Sequence, residues 1–291
     1  MLGGSLGRAL RERRLAREVV GVVRRPETIQ ECATVGATDH TTLDLEGGIR
    51  GADWIILGTP LGQMGSLVRR LLPFLKAGAR VTDVGSAKAE LVADLEPLIT
   101  ARGGTYVGSH PMAGGNKTGV LAARADLFQN SICAVTPTDR TPPDAVLAVT
   151  EFWEAVGAEV IRLSPQAHDH AVAWSSHLPH VVAALLADRV LDPHHPDSVR
   201  RLCATGFQST TRIASGSPEM WRDIALANRA ALDRALADQA EQLADFRRLL
   251  AAQDGPGLLA SFSRAKARRD AWCPTGPSAA RSEDCQFPGS V

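Results

Sequence analysis

Short apolar runs alternate with helical patterns over the first half of the chain. Six runs have the length and the β-branched content of strands. They are Glu18–Val23, Asp53–Pro60, Arg80–Val84, Thr105–Gly108, Ser131–Val135 and Glu159–Arg162. Between them, apolar residues recur at helical spacing, as in Gly62–Leu75 and Asp144–Val156. Continuous apolar strands separated by helices predict a mainly parallel sheet covered on both faces.

The pattern changes after Ser164-Pro165. From Gln166 to about Arg269 no strand is predicted, and Ala, Leu and Val recur at helical spacing. The last segment is rich in Pro, Gly and Ser, as disordered tails are. We therefore predict an α/β domain at 1–164, an all-helical domain at 165–270 and a disordered tail at 271–291.

The first residues resemble the end of a dinucleotide-binding turn. Gly3, Gly4 and Ser5 are small, and an apolar helical pattern follows them. In a Rossmann fold such residues start the helix whose backbone N–H groups face the pyrophosphate. No strand precedes them, and the G-x-G-x-x-G pattern is incomplete. We expect a Rossmann-like domain whose first strand would lie upstream of Met1. A flexible N-terminus leading into an ordinary helix is the alternative.

We expect the ends of the next two predicted strands to contact the same cofactor. The strand at Glu18–Val23 ends in Arg24 and has no carboxylate to bind the ribose 2′-hydroxyl of NAD. Arg24 could accept the 2′-phosphate of NADP or could be a solvated loop residue, so NAD and NADP both stay open. Thr59 and Pro60 end the next strand, and we expect them to contact the cofactor as well.

Composition narrows the class of protein. Lys plus Arg and Asp plus Glu both number 32, so no basic excess indicates binding to nucleic acid or to a membrane surface. The five cysteines are scattered without a C-x-x-C pair, which fits a reducing cytoplasm better than a disulfide framework. We find no signal peptide and no apolar stretch of membrane-spanning length. A cytoplasmic protein is expected.

Three sequence blocks, in order, resemble the prephenate and arogenate dehydrogenase family. They are Asp83–Lys88 (Asp-Val-Gly-Ser-Ala-Lys), Gly108–Gly114 (Gly-Ser-His-Pro-Met-Ala-Gly), and Ser176–His180 (Ser-His-Leu-Pro-His) with Thr211–Ala214 and Met220–Ile224 after it. The resemblance covers roughly Met1 to Ala251. It implies a homodimeric oxidoreductase of tyrosine biosynthesis that oxidatively decarboxylates prephenate or arogenate with NAD or NADP. Its site would lie in the cleft between the two domains.

The resemblance also implies roles for individual residues. His110 matches the catalytic histidine, and imidazole suits proton transfer near neutral pH. It follows a predicted strand in a Gly/Pro-rich turn, and a surface-turn histidine is the alternative. Ser86 matches the serine that orients this histidine, and it could equally be a helix N-cap. Arg212 would clamp the substrate carboxylate with its planar fork, unless it forms a surface salt bridge. His177 would lie near the substrate.

One departure from the family bears on substrate choice. Asn116 stands where the family often has a glutamate, so a carboxylate that helps to discriminate substrates is missing beside the expected substrate site. We expect no metal. A metal site would need His177 and His180 joined by His168 or His170, and hydride transfer to nicotinamide requires none.

Two other functions stay open. Another hydroxyacid or imine dehydrogenase could have the same two-domain plan, although the Ser-His-Pro-Met-Ala-Gly and His-Leu-Pro-His blocks argue against it. The absence of a strand before Gly3 motivates a third hypothesis, a catalytically impaired remnant that acts as a binding or dimerising protein.

Overall fold

A computed structural model describes residues 1–114 and 118–272. The strands in this part of the chain are β1 (Val20–Val22), β2 (His40–Thr42), β3 (Trp54–Leu57), β4 (Arg80–Asp83), β5 (Thr105–Tyr106), β6 (Gly108–Pro111), β7 (Ile132–Thr136) and β8 (Glu159–Arg162). The helices are α1 (Leu2–Glu12), α2 (Pro26–Val35), α3 (Leu45–Ile49), α4 (Leu61–Leu71), α5 (Ala89–Thr100), α6 (Pro143–Ala155), α7 (Pro165–Val172), α8 (Leu178–Val190), α9 (Asp197–Arg201), α10 (Thr205–Thr211), α11 (Pro218–Ala227), α12 (Arg229–Ala251) and α13 (Gly255–Ala271). The tail expected at 271–291 lies outside the described residues from 273 onward.

The strands form three short sheets. β1 pairs with β2, and β3, β4 and β5 pair in that order, all in parallel. β6 pairs antiparallel with β7, which pairs in parallel with β8. The chain passes from β5 to β6 through Val107, whose N–H still donates to the carbonyl of Val81 in β4. The expected parallel, Rossmann-like α/β fold is confirmed. Within the described residues, β1 and β3 share no ladder.

Two strands were not predicted. β2 has three residues, His-Thr-Thr, and is too polar and too short to stand out by its pattern. β6 contains glycine and proline, which are typical of turns, yet all four of its residues are buried. A proline fits there because β6 pairs with β7 alone.

Two apolar clusters hold the α/β part together. One lies between β3, β4 and the helices α4 and α5, and includes Leu57, Val81 and Leu95. The other joins β7 and β8 to α1 and α6 around the fully buried Trp153. Each helix turns an apolar side to the strands, which fixes the strand ends that carry the site.

The chain after β8 is helical, as predicted, and no strand forms there within the described residues. Ser164 caps α7 by accepting from the N–H of Ala167 at 3.2 Å, and Pro165 occupies the first turn. A π-helical segment, Ala173–His177, connects α7 to α8. Pro179 has no N–H to donate to the carbonyl of Ser175, and a wider turn accommodates its ring.

The chain divides into two compact units, Met1–Leu232 and a second that begins at Asp233. This division differs from the expected boundary between residues 164 and 165, because α7 packs on α5 and α11 packs on α4 inside the first unit. The boundary at residue 164 stays a prediction. None of the described helices has the length and apolarity needed to cross a membrane.

Candidate active site

His110 lies on β6, opposite Ala134 of β7. It is 8% exposed, so it is a strand residue in the interior and not the turn residue that the sequence predicts. Its Nδ1 lies 2.9 Å from Nε2 of His168, on α7. Burial lowers the pKa of His110 well below its usual value, which keeps the ring uncharged near neutral pH.

A buried ion pair supports the strand end beside His110. Asp83 ends β4 and pairs with the Lys88 ammonium group, and neither side chain is exposed to solvent. Tyr106 donates its hydroxyl proton to Asp83 Oδ1 at 2.9 Å. The backbone N–H groups of Gly85 and Ser109 also donate to this carboxylate. The sequence offered no reason to remove Lys88 from solvent, yet its charge balances Asp83 in the interior.

Ser86 lies between β4 and α5 and is half-buried. Among the described residues, neither of its two expected roles is seen. The N-terminus of α5 is capped by Asp169, whose carboxylate accepts the N–H groups of Lys88 and Ala89 at 2.7 and 2.8 Å. The hydrogen bond that His110 forms goes to the α7 imidazole and not to the Ser86 hydroxyl.

His177 lies in the π-helical segment and is 1% exposed. The side-chain amide of Asn228 lies 3.0 Å from its Nδ1 and also donates to the carbonyl of Asp169 at 2.8 Å. An amide NH₂ only donates, so Nδ1 of His177 accepts and Nε2 carries the proton. Burial lowers the pKa of His177 to about 4. Nε2 has no partner among the described atoms, so His177 offers a buried hydrogen-bond donor.

His180 and Trp221 extend this region. Their rings stack with centroids 3.4 Å apart, and Trp221 meets His177 edge-on at 6.1 Å. A Cβ atom at Gly216 would come within 2.7 Å of Trp221 Nε1, so that position requires glycine. Trp221 therefore packs against both histidines of the Ser-His-Leu-Pro-His block.

Arg212 and Asn116 are the two remaining candidates for substrate binding, and the structure describes Arg212 alone. Arg212 begins the 3-10 turn Arg212–Ser215, which packs against α8. Its side chain is exposed, and no ion pair to it is seen in residues 1–114 and 118–272. The alternative of a surface salt bridge therefore finds no support there. Asn116 lies outside the described residues.

The expected cofactor residues lie at the start of α1 and the end of β3. Gly3 is exposed, and a Cβ built on it would meet nothing within 4 Å. Gly58, after β3, approaches it so closely that a Cβ there would lie 3.5 Å from Gly3 Cα. The Thr59 hydroxyl is buried and has no partner among the described atoms. These groups fit a ligand that accepts hydrogen bonds over the N-terminus of α1.

Gly4 and Ser5 have packing roles instead. A Cβ at Gly4 would lie 2.6 Å from Val120 Cγ2. Ser5 is fully buried, its hydroxyl accepts from the N–H of Arg124 at 3.0 Å, and its own N–H donates to Met1. The hydroxyl and the N–H of Ser5 are thus both hydrogen-bonded within the protein, which argues against the expected contact between Ser5 and the cofactor.

The other two cofactor candidates lie in the segments that follow β1 and β3. Arg24 is exposed just after β1, and no ion pair to it is seen in the described part of the chain. Pro60 is exposed and precedes α4 as its N-cap residue. Its φ of −52° and ψ of 143° turn the chain from β3 into that helix. Across the described residues, no group of three or more His, Cys, Asp or Glu side chains is placed to hold a metal ion.

Comparison with known families identifies the family of the chain. The family model described as "Prephenate dehydrogenase, nucleotide-binding domain" matches residues 6–162. The model described as "Prephenate dehydrogenase, dimerization domain" matches residues 164–264. The chain belongs to the prephenate dehydrogenase family. The resemblance drawn from the three sequence blocks is therefore confirmed.

Individual members of the family match over most of the chain. A prephenate dehydrogenase of Bacillus subtilis is 31% identical over 275 residues, which cover 93% of this chain and 73% of that protein. The structure of A. aeolicus prephenate dehydrogenase with hydroxyphenyl propionate and NAD+ has a TM-score of 0.86 at 31% identity, covering 92% of this chain and 93% of that one. Synechocystis arogenate dehydrogenase has a TM-score of 0.79 at 30% identity, covering 92% and 95%.

Sequence reasoning missed four residues of this region. The sequence assigns no individual role to Lys88, Asp169 or Asn228, and it offers His168 only as a candidate ligand of a metal site. One local signal existed, because His168 and Asp169 are adjacent residues of α7, within the segment where the helical spacing of apolar residues predicts helix. Nothing in the local pattern marks Asn228, whose role depends on the fold bringing the end of α11 to the π-helical segment.

Proposed function

We propose that the chain catalyses the NAD- or NADP-dependent oxidative decarboxylation of prephenate, the function that its family membership indicates. One observation carries the assignment to this site. His110 is buried and uncharged, at a position where residues of β6 and α7 meet. An uncharged imidazole at such a position is a general base ready at neutral pH.

The cofactor would bind over α1 and the end of β3. Gly3 leaves room for close approach of a pyrophosphate, and the Thr59 hydroxyl, which has no partner in the described part of the chain, would bond to a ligand oxygen. Pro60 would shape the wall beside it. Arg24 would lie near the adenosine ribose, where its guanidinium would favour NADP over NAD. When bound, the nicotinamide supplies the hydride acceptor.

His110 would act on the ring hydroxyl of the substrate. Its Nε2 takes up the hydroxyl proton as hydride leaves the carbon that bears the oxygen. The ring carboxylate departs as carbon dioxide, and the electrons of that bond complete the aromatic ring. The proton returns from Nε2 to the oxygen, which becomes the phenol, so no net proton is released. Ser86, between β4 and α5, would contact the hydroxyl or the imidazole once substrate is bound.

Two further residues would hold the substrate. The buried Nε2–H of His177 has no partner among the described residues and would donate to a carboxylate or carbonyl oxygen of the substrate. Arg212 is an exposed cation beside α8 and would clamp the side-chain carboxylate. Asn116 would leave substrate selection without a carboxylate. The likeness to an arogenate dehydrogenase makes arogenate the second candidate substrate.

The assembly and its location form part of the same proposal. The helical part would form a homodimer, since the family model that matches residues 164–264 is a dimerization domain. The domain boundary would lie near residue 164. The free thiols of Cys32 and Cys133 are buried and suit the reducing cytoplasm.

His110→Asn tests the catalytic assignment. Removal of the base should lower kcat by about 10²–10⁴-fold and leave the KM for nicotinamide cofactor nearly unchanged. The measurement is steady-state turnover of prephenate and of arogenate with NAD and with NADP. His170→Asn, an exposed change on α7, is the matched control and should keep normal turnover. Normal turnover in His110→Asn would remove His110 from its role. No turnover by the unaltered protein would favour the impaired remnant.

A further inference from the structure

His168 stands between His110 and a carboxylate. It is 1% exposed, and its Nε2 lies 2.9 Å from Nδ1 of His110. Its Nδ1 lies 2.8 Å from Oδ1 of Asp169. The two imidazole rings meet at an interplanar angle of 69° with centroids 5.2 Å apart. The three side chains therefore form one hydrogen-bonded chain in the order His110, His168, Asp169.

The direction of each hydrogen bond follows from the carboxylate. Asp169 already accepts two backbone N–H groups, those of Lys88 and Ala89, one on each oxygen. A carboxylate oxygen accepts hydrogen bonds, so Nδ1 of His168 donates to it. A neutral His168 with a proton on Nδ1 has a bare Nε2 that accepts. Nδ1 of His110 must then be the donor in the bond between the two rings.

The consequence for His110 concerns its second nitrogen. A neutral imidazole has one proton, and the hydrogen bond to His168 places it on Nδ1. Nε2 of His110 therefore keeps its lone pair. With the opposite tautomer, Nε2 would carry a proton and could not accept one from a substrate hydroxyl.

We propose that His168 and Asp169 are positioning residues that fix the Nδ1–H tautomer of His110 and so make Nε2 the base. Neither residue needs to touch the substrate. When Nε2 takes the hydroxyl proton, the imidazolium of His110 keeps its Nδ1 bond to His168, whose own Nδ1–H bond leads to the Asp169 carboxylate. This arrangement stabilises the transient positive charge. The proposal rests on the proposed role of His110.

Asn228 gives His177 the reverse tautomer. Asn228 donates to Nδ1 of His177 and to the main chain of Asp169. His177 is thereby left with a proton on Nε2, while His110 is left without one. One imidazole is set to accept and the other to donate.

The test replaces His168, because a change at Asp169 would also remove the cap of α5. His168→Gln keeps a side-chain carbonyl that can accept from Nδ1 of His110, and His168→Leu has no acceptor. His170→Leu is the matched control, since His170 is exposed on the same helix. Each variant is compared with the full chain by its folding, by its steady-state kinetics and by its histidine tautomers.

The tautomer is read directly by NMR of protein labelled with ¹⁵N in histidine. The two ring nitrogens of a neutral imidazole differ in ¹⁵N shift according to which one carries the proton, and His110→Asn identifies the signals. We expect the Nδ1–H form for His110 in the unaltered protein, in His170→Leu and in His168→Gln. In His168→Leu we expect a loss of this preference. Its kcat should fall on the order of 10²-fold, with the KM for cofactor unchanged and with recovery in His168→Gln.

Two results would overturn the proposal. One is an Nε2–H tautomer of His110 in the unaltered protein, which decides the matter even if the variants fail to fold. The other is an unchanged tautomer and kcat in a folded His168→Leu protein. Failure of the proposed function looks different, because the unaltered protein would then show no turnover, or His110→Asn would be fully active, whatever tautomer the spectrum shows.

Discussion

Burial lowers the pKa of both His110 and His177, because it removes the rings from water and disfavours their charged forms. The pKa of His177 falls to about 4, and desolvation outweighs the opposing attraction of Asp169. The pKa of His110 falls as well, with burial again the first cause. Both rings are uncharged at neutral pH, which suits groups that exchange hydrogen bonds with a substrate.

Stability should therefore depend on pH in a defined direction. In the unfolded chain His177 takes up a proton near pH 6.5, whereas in the folded protein it does so only near pH 4. The unfolded state binds more protons between these values, so stability is highest above pH 6.5 and falls as the pH drops toward 4. The contribution of His177 is on the order of 3 kcal/mol across this window.

Urea unfolding of the unaltered protein and of His177→Gln from pH 7.5 to 4 measures this contribution. The free energy of unfolding should fall less steeply with decreasing pH in His177→Gln, by up to about 1.4 kcal/mol per pH unit. His195→Gln, at an exposed position, is the control and should keep the slope of the unaltered protein. Equal slopes for all three proteins would show that His177 is not the group responsible.

At the scale of elements, α1 combines two glycines with opposite surroundings. Nothing lies within 4 Å of a Cβ built on Gly3, whereas a Cβ on Gly7 would overlap the backbone carbonyl oxygen of Ala37. Gly7 thus permits α1 to pack closely on the chain before β2. Gly3 has no such packing reason, so its small size is available to a ligand.

Alanine at these two positions should separate folding from cofactor binding. Gly7→Ala should lower the melting temperature and cost about 1–3 kcal/mol, because backbone must move to make room. Gly3→Ala should fold at least as well, since alanine favours a helix by roughly 1 kcal/mol over glycine. Its cofactor Kd should rise, since the methyl group enters the space proposed for the pyrophosphate. Thermal melting and cofactor titration give both quantities. Unchanged cofactor affinity in Gly3→Ala would remove Gly3 from the cofactor site.

Elements were predictable where local pattern decides them, and unpredictable where a distant contact does. β3, β4 and β8 are apolar or β-branched runs, and all three form close to their predicted places. β6 looks like a turn by composition, and only its pairing with β7 makes it a strand. The N-terminus of α5 shows the same limit. Ser86 has the right residue type for a cap, but Asp169, about 80 residues later in the chain, supplies the carboxylate.

At the scale of the whole molecule, the order of the three sequence blocks was enough to identify the family. His110 and His177 each lie in a block, and both prove to be buried and neutral. The residues that set their tautomers lie outside these blocks. His168 and Asn228 act through contacts between segments more than 50 residues apart, as the separations of 58 and 51 residues show. Such contacts depend on tertiary packing, which one sequence does not reveal.

The exposed side of α8 carries an apolar stripe. Val182, Leu185 and Leu186 lie on one stripe at spacings of three and four, and are 38%, 62% and 36% exposed. An apolar stripe of this kind usually marks an interaction surface. A second copy of the chain is the proposed partner, because α8 lies within the segment matched by the dimerization domain.

Leu185→Lys should therefore weaken self-association. Sedimentation velocity of the unaltered protein should give twice the chain mass of 30.9 kDa. A lysine in the middle of the stripe should raise the dimer Kd by at least about tenfold, since it places an unpaired charge in an apolar interface. Leu147→Lys is the matched control, because Leu147 is 51% exposed on α6 in the α/β part. The control should sediment as the unaltered protein does. A monomeric unaltered protein, or equal dissociation of the two variants, would show that α8 is not the dimer contact.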